Sequence, residues 1–297
     1  MTAALRTVIT CSALLLLNLA SAAGQIAARA TYVGDGSFDL PPAGPTSPRD
    51  PNAIAVAPDG TLHIVDKQGA VMVFDRSGTP VRSYGAGSLE EPVAIAFDPS
   101  GRAHVLDKRL KQVLVYNATG EQQFAIAGAD RGASMLSDPV GLTLGPQGFV
   151  YVLDKGDRSV RVFSPDGAFV RQVGLGELLR DPTGIAVGGD GRIFVSDKGG
   201  GAQVFMLPAF SDVSWQGAAA PQVLSLGAVE EAVAIVVDGS GTVAVLDNKQ
   251  GRVWGGSRLD PAATSQTRPI YGGVGRGRGS FREAVGLAFT SVEPEPA

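Results

Sequence analysis

One short motif recurs along this chain and limits what the chain can fold into. Its clearest copy, residues 181–198, reads DPTGIAVGGDGRIFVSDK. An acidic residue and a proline precede a short apolar run, a glycine turn follows, and a second apolar run ends at Asp197 and Lys198. Apolar runs this short, bounded by glycine and proline, are too short for helices and favour strands.

The motif repeats at intervals of about forty to fifty residues, a period typical of β-propeller blades. Five copies have four predicted strands each, and their first strands lie at 53–57, 94–97, 141–144, 184–187 and 234–237. A sixth first strand at 285–289 and a lone strand at 28–33 are unmatched. The sequence therefore predicts an all-β propeller of four-stranded antiparallel blades. We expect a six-fold ring with one incomplete blade closed by both termini, and the alternative is five blades.

The N-terminal segment has the layout of a secretory signal peptide. Arg6 precedes a mostly apolar stretch, and Ala20, Ser21 and Ala22 fit a cleavage site for a signal peptidase. The alternative, a membrane anchor, would need a longer apolar run of about 20 residues. The organisation predicted is a signal peptide at 1–22, a propeller at 23–290 and a short disordered tail at 291–297. The protein is therefore expected to be secreted or periplasmic.

Composition narrows the classes of partner. The chain has 297 residues, 40 Gly and 19 Pro, and a formal net charge of -4. A mildly acidic chain lacks the positive surface with which proteins bind nucleic acid, so no nucleic acid is expected as a partner. No other segment is long and apolar enough to span a membrane. The only cysteine, Cys11, lies in the predicted signal peptide, so the mature chain would have no disulfide.

Acidic residues stand at the entrance to every predicted first strand. They are Asp50, Glu91, Asp138, Asp181, Glu231 and Glu283. The second strands end in Asp66, Asp107, Asp154, Asp197 and Asp247, and four of these are followed by lysines, namely Lys67, Lys108, Lys155 and Lys198. One interpretation is a set of carboxylates and ammonium groups around a mouth, where a polar ligand or a hard cation such as calcium binds. The other is turn chemistry, in which each aspartate accepts backbone N–H groups.

Histidine and nucleophile patterns give little support for catalysis. His63 and His104 occupy equivalent positions, which Tyr151 and Phe194 fill in other repeats, so the sequence predicts packing between blades. We predict no catalytic residue and no cofactor, with calcium as the one candidate ion. Whether the chain is an enzyme stays open, with non-enzymatic binding favoured, because a catalytic site needs different residues in different blades and these positions are near copies.

The best copies, residues 139–163 and 182–205, resemble the NHL repeat. They share Pro-x-Gly followed by an apolar run, an apolar second strand ending in Asp, and Val-x-Val-Phe or a close variant. The resemblance implies a six-bladed propeller of TolB-like architecture and places the acidic entrances on one face near the axis. Propellers of this kind are also found in lyases, lactonases, sensor domains and protein- or RNA-binding modules, so the resemblance implies no single function.

The function predicted is an exported, non-enzymatic scaffold that binds a protein or a small polar ligand through the acidic and lysine-bearing face. The alternative is a propeller hydrolase or lyase, similar to lactonases or to peptidyl-hydroxyglycine lyases, with an axial metal. Residues 35–49 and 272–282 form longer loops that we expect on the same face, since both precede a first strand. The excursions at 206–221 and 255–267 are expected on the opposite face.

Overall fold

The computed structural model describes residues 16–18, 31–32, 48, 50–75, 78–127, 134–209, 221–224, 229–237, 241–257, 268–272 and 288–290. Two short strands near the N-terminus precede the repeats, β1 (Leu16–Asn18) and β2 (Thr31–Tyr32). Blade 1 contains β3 (Pro51–Val56), β4 (Leu62–Asp66), β5 (Ala70–Phe74) and β6 (Pro80–Tyr84). Blade 2 contains β7 (Pro92–Phe97), β8 (Ala103–Asp107), β9 (Gln112–Tyr116) and β10 (Gln122–Ile126).

Blades 3 to 5 repeat this order. Blade 3 contains β11 (Pro139–Leu144), β12 (Val150–Asp154), β13 (Ser159–Phe163) and β14 (Phe169–Gly174). Blade 4 contains β15 (Pro182–Val187), β16 (Ile193–Asp197), β17 (Gln203–Leu207) and β18 (Gln222–Leu224). Blade 5 contains β19 (Ala232–Val237), β20 (Thr242–Asp247), β21 (Arg252–Ser257) and β22 (Arg268–Gly272). Two 3-10 helices, Pro146–Gly148 and Gly176–Leu178, and a final strand, β23 (Ala288–Thr290), complete the described elements.

Each blade is one four-stranded sheet in which consecutive strands pair antiparallel. The first strands contact one another from blade to blade, β3 with β7, β7 with β11, β11 with β15 and β15 with β19, so they are innermost. The fold is therefore the predicted all-β propeller. The described residues form five four-stranded blades, which confirms the alternative number and makes the preferred number of six wrong.

The termini share a sheet of a different kind. β1 pairs antiparallel with β2 and parallel with β23, and β23 contacts both β3 and β19. This three-stranded sheet therefore lies between blades 5 and 1. It is not a sixth blade, because its strands have only two or three residues and the order differs from that of the others. Signal-peptide cleavage remains a prediction, and a chain that begins at residue 23 would contain β2 and β23 without β1.

The apolar core lies between blades. Four clusters each combine residues of two neighbouring blades, for example Val71 and Tyr84 of blade 1 with Val105 and Leu114 of blade 2. The small residues of the inner strands fit this arrangement. A Cβ added at Gly184 would lie 3.3 Å from the backbone nitrogen of Ile235 in the next blade. Only Ser196 Oγ of the same blade, at 3.0 Å, would be closer, so both the second strand and the adjacent inner strand favour a small residue at this position.

All five inner strands carry a β-bulge near their first residue. In each, the ladder shifts register between the first and third residues, as between Pro182 and Gly184. The bulge bends the strand and places the entrance acid beside the end of the second strand. No helix in the part of the chain described above is long and apolar enough to cross a membrane.

Candidate functional site: a charged ring on one face

Five buried aspartates connect each blade entrance to the turn after its second strand. Asp107 shows the pattern, because its Oδ2 accepts the backbone N–H groups of Glu90 at 2.6 Å and Glu91 at 2.9 Å. Its Oδ1 accepts the N–H groups of Arg109 at 3.0 Å and Leu110 at 2.9 Å. The set comprises Asp66, Asp107, Asp154, Asp197 and Asp247, none more than 2% exposed. These carboxylates accept backbone N–H groups at the turns, as one of the two interpretations predicts.

The same turns position the lysines. The backbone N–H groups of Lys67, Lys108, Lys155 and Lys198 donate at 2.9–3.1 Å to the carbonyls of the entrance acids of their own blades, Asp50, Glu91, Asp138 and Asp181. In blade 5 Asn248 replaces the lysine, and its N–H donates to the carbonyl of Glu231 at 3.2 Å. Each entrance acid is therefore held beside the residue that follows the buried aspartate.

The lysine side chains reach across to the next blade. Lys108 Nζ lies 2.8 Å from Asp138 Oδ1, and Lys155 Nζ lies 2.6 Å from Asp181 Oδ1. Lys198 Nζ lies 3.7 Å from Glu231 Oε1. The hydrogen bond that Lys155 Nζ donates to Asp181 raises the pKa of Lys155 above its ordinary value. The acids and lysines thus form inter-blade ion pairs around one face.

Blade 1 departs from this rule. Lys67 Nζ lies 3.8 Å from Asp50 of its own blade, and Glu91 of blade 2 instead has Arg109 Nε at 4.0 Å. We name the side chains of Asp50, Glu91, Asp138, Asp181, Glu231, Lys67, Lys108, Lys155 and Lys198 the charged ring. The face that carries them is the ring face. Between 34% and 56% of each of these side chains is exposed.

Exposure on this scale makes the ion pairs weak. Pairs between solvent-exposed charges contribute about 0–1 kcal/mol each, because water screens them and two long side chains must be ordered. The ring is thus stabilising only to a small extent, and its ammonium and carboxylate groups are accessible to another molecule. This separates it physically from the buried aspartates below it, whose backbone hydrogen bonds are internal to the fold.

Sequence reasoning missed two lysines of this face. Lys111 and Lys249 lie in the turns that follow Asp107 and Asp247, so every lysine of the sequence lies on the ring face. Lys111 has a φ of 58°, in the left-handed region, at a turn position where blade 5 has Gly251. A left-handed backbone costs a non-glycine residue roughly 1 kcal/mol or more. The turn keeps a lysine there despite this cost.

A buried arginine was also missed. Arg161 of β13 is only 4% exposed, and its Nη1 donates to Asp154 Oδ2 at 2.7 Å, while Nη2 pairs with Asp157. Met72, Leu114 and Phe205 fill the equivalent position in other blades. A charged residue at a third-strand position that is apolar in these other blades is the signal that could have identified this ion pair.

Part of the predicted site lies outside the described residues. Glu283, the loops at 35–49 and 272–282, and most of both excursions fall there, so their placement on either face stays a prediction. Within the described ranges, no group of three or more His, Cys, Asp or Glu side chains could hold a metal ion. The ring carboxylates that have close partners there face ammonium groups.

Both histidines lie in the walls between blades. His63 is 3% exposed, with Nδ1 3.1 Å from the Tyr84 hydroxyl and Nε2 3.1 Å from Thr61 Oγ1. Burial, and then the charge of Arg82, lowers the pKa of His63 to about 4. His104 is 1% exposed, burial lowers its pKa also, and its Nδ1 has no hydrogen-bond partner among the described residues. The packing role predicted for this position agrees with their burial.

Comparison with known proteins identifies the fold. No protein-family model and no curated protein matches the sequence. Among solved structures, virginiamycin B lyase from Staphylococcus aureus has 11% identity and a TM-score of 0.55, over 74% of this chain and 69% of that one. A chain of a nidogen/laminin complex has 17% identity and a TM-score of 0.56, over 70% and 75%. A gluconolactonase from Xanthomonas campestris has 17% identity and a TM-score of 0.56, over 71% and 74%.

The chain is a β-propeller. At these identities the likeness is one of fold, and the three propellers include a lyase, a lactonase and a chain of a protein complex. Membership of the NHL-repeat family in particular therefore rests on the repeat motifs alone.

Proposed function

We propose that this propeller is an exported, non-enzymatic binding protein that holds a protein partner or a small polar ligand through the ring face. The observation that carries the proposal is the placement of every lysine on that face, interleaved with exposed carboxylates. A surface of alternating charge favours a partner of complementary charge pattern, and such patterns set association rate and specificity more than affinity.

The ion pairs of the charged ring are weak enough to be replaced by contacts with a partner. Each exposed ion pair contributes about 0–1 kcal/mol to folding, so its loss on binding costs little. The turns that carry the lysines are fixed by the buried aspartates, so a partner meets charges whose backbone positions are already ordered. Pre-ordering of this kind lowers the entropic cost of association.

The alternative is a hydrolase or lyase with an axial metal, as the lactonase and lyase neighbours suggest. In the virginiamycin B lyase a histidine-to-alanine variant is catalytically inactive. Here the two histidines are buried between blades, one of them bonded to Tyr84 and Thr61. The repetition of acidic residues and lysines at the ring positions favours binding, because catalysis requires residues in distinct roles.

A capture experiment tests the proposal. Protein comprising residues 23–297 is immobilised and incubated with the extracytoplasmic fraction of its source, and the captured protein is quantified. We expect Lys108→Glu with Lys155→Glu to reduce capture by tenfold or more, because like charges then meet the partner. The control is Arg192→Glu, which removes a paired cation (Arg192 Nε to Asp190 Oδ2, 2.6 Å) on the opposite face. Equal capture by wild type and the lysine variant would contradict the proposal.

A calcium titration addresses the candidate ion. If the ring holds a cation, calcium raises the melting temperature, and Glu91→Gln with Asp138→Asn abolishes that rise. The described geometry favours the opposite result, since Asp138 already has Lys108 Nζ at 2.8 Å. An unchanged melting temperature leaves protein or polar ligand as the class of partner.

A further inference from the structure

A small pocket with two charged residues in its lining lies between blades 1 and 2 on the face opposite the charged ring. Its volume is about 190 Å³. Its walls come from three turns, β3–β4, β7–β8 and β9–β10, and from Arg82 of β6. These turns connect the strand ends that are opposite to Asp66 and Asp107, so the pocket is separate from the ring and its role does not depend on the function proposed above.

Arg82 is a fixed cation in this pocket. Its Nη2 donates to the Ala118 carbonyl at 2.7 Å, and its Nη1 lies 3.4 Å from the Thr119 carbonyl. The guanidinium also stands 5.4 Å from the centre of the Tyr84 ring. Within the described ranges no group accepts a hydrogen bond from its Nε. The side chain is therefore held in place by blade 2 while part of its donor edge stays available.

Asp59 is a fixed anion in the same pocket. Its Oδ1 accepts the Thr61 N–H at 2.9 Å and the Thr61 hydroxyl at 2.6 Å. Because that hydroxyl donates to Asp59, it accepts from His63 Nε2–H, and the Tyr84 hydroxyl then donates to His63 Nδ1. This chain of hydrogen bonds fixes the carboxylate from behind. No described donor is bonded to Asp59 Oδ2.

The two charges line one pocket without pairing with each other. Burial alone would raise the pKa of Asp59, but the Thr61 hydrogen bonds, then the charge of His63 and last that of Arg82, outweigh it and keep the pKa below its ordinary value. Asp59 is therefore ionised at neutral pH. The rest of the lining includes the apolar residues Phe97, Pro99 and Ala103 and the polar residues Ser100 and Asn117.

Size and charge together define a ligand class. Drug-sized ligands occupy pockets of roughly 300–1,000 Å³, so about 190 Å³ suits only a small metabolite. A carboxylate and a guanidinium that line the same pocket match a molecule with an ammonium group and a carboxylate of its own, and arginine binds carboxylates through two parallel hydrogen bonds. We propose that this pocket binds a free α-amino acid with an apolar side chain, whose carboxylate meets Arg82, whose ammonium meets Asp59, and whose side chain packs on Phe97.

The test is a titration of the purified chain with L-leucine, followed by ligand-observed NMR and by thermal shift. L-leucinamide lacks the carboxylate and N-acetyl-L-leucine lacks the ammonium, and we expect each to bind at least about tenfold more weakly. Asp59→Asn keeps an oxygen for Thr61 and removes the charge, so it should weaken leucine by a similar factor. Asp190→Asn is the matched control, because Asp190 accepts the Arg192 N–H at 3.0 Å in the equivalent turn of blade 4.

Two results would overturn the proposal. One is the absence of saturable leucine binding at millimolar concentration in wild-type protein. The other is equal binding of leucine, leucinamide and N-acetyl-leucine, which would show that the pocket recognises neither the carboxylate nor the ammonium group of the ligand. If Asp59→Asn lowers the melting temperature and fails to fold, the ligand series on wild-type protein decides the matter alone. Loss of partner capture in the ring variants leaves leucine binding unchanged, so the two proposals fail separately.

Discussion

At the scale of single residues, the two histidines occupy equivalent positions in blades 1 and 2 but differ in their hydrogen bonds. Both ring nitrogens of His63 have a partner, whereas Nδ1 of His104 has none among the described residues. His63 accepts from Tyr84 at the end of β6, whereas Ile126 of β10 is the counterpart of that tyrosine in blade 2. His104 Nδ1 therefore has no partner among the described residues. A buried polar atom without a hydrogen bond costs about 1–3 kcal/mol.

Phenylalanine at each histidine should separate the two cases. We expect His104→Phe to leave the free energy of unfolding unchanged or raise it by up to about 1 kcal/mol, because blade 4 accommodates Phe194 at this position. His63→Phe should lower it by about 1–3 kcal/mol, since the buried Tyr84 hydroxyl loses its acceptor. Urea unfolding of the three proteins measures both values. A larger loss for His104→Phe than for His63→Phe would contradict the assignment.

The lowered pKa of His63 predicts a dependence of stability on pH. The folded pKa of about 4 lies below the ordinary value of 6.5, so the unfolded chain binds the proton more readily between these values. Stability from this residue is present above pH 6.5 and is lost as the pH falls towards 4, by on the order of 3 kcal/mol. The difference between wild type and His63→Phe in unfolding free energy, measured across this range, isolates the effect. A constant difference would show that His63 titrates normally.

At the scale of elements, the connection between blade entrance and second strand is the repeated unit of the fold. The buried aspartate takes backbone donors from both sides of the connection, and the exposed acid beside it takes a lysine from the preceding blade. Two acidic residues a short distance apart thus have different roles, one in folding and one at the surface.

Asparagine substitutions distinguish these roles. Asp107→Asn places an amide nitrogen or a single oxygen against the N–H groups of Glu90 and Glu91, so we expect the free energy of unfolding to fall by about 2–4 kcal/mol. Asp138→Asn should change it by no more than about 0.5 kcal/mol, because its ion pair with Lys108 is exposed. Chemical denaturation provides the comparison. Similar losses for both variants would mean that the exposed ring is structural.

Strand positions were predictable from the sequence, and contacts between blades were not. Short apolar runs placed the second strand of blade 1 from residue 62, where β4 begins, and the following aspartates mark strand ends. The sequence could not show that Lys108 reaches Asp138 in the next blade, because both blades repeat the same motif. The pocket of Asp59 and Arg82 was equally hidden, since blade 2 supplies the carbonyls that hold the arginine.

At the scale of the whole molecule, ring closure depends on both termini. β2 and β23 belong to one sheet, with β1 between them, and β23 contacts the inner strands of blades 1 and 5. The number of blades was mispredicted because six first-strand motifs were counted. The described residues of the last motif, at 285–289, belong to the short β23 in the three-stranded sheet.

Deletion of residues 26–34 should destabilise the entire domain. In the full-length chain this deletion removes β2, the partner of β1, and leaves β1 as an open edge of the terminal sheet, so we expect the melting temperature to fall by about 2–4 °C for each kcal/mol lost. Deletion of residues 291–297, the tail predicted to be disordered, is the control and should leave the melting temperature unchanged. An unaltered melting temperature for the first deletion would contradict closure through the termini.

Lysine footprinting is the most direct test of whether the ring face is the binding surface. All lysines of the sequence lie on that face, so acetylation followed by mass spectrometry reports on it residue by residue. Lysine reactivity is compared between the free protein and its complex with the captured partner. We expect Lys108, Lys155 and Lys198 to lose reactivity in the complex. Unchanged reactivity of every lysine in a complex that has formed would contradict this expectation and place the partner elsewhere on the propeller.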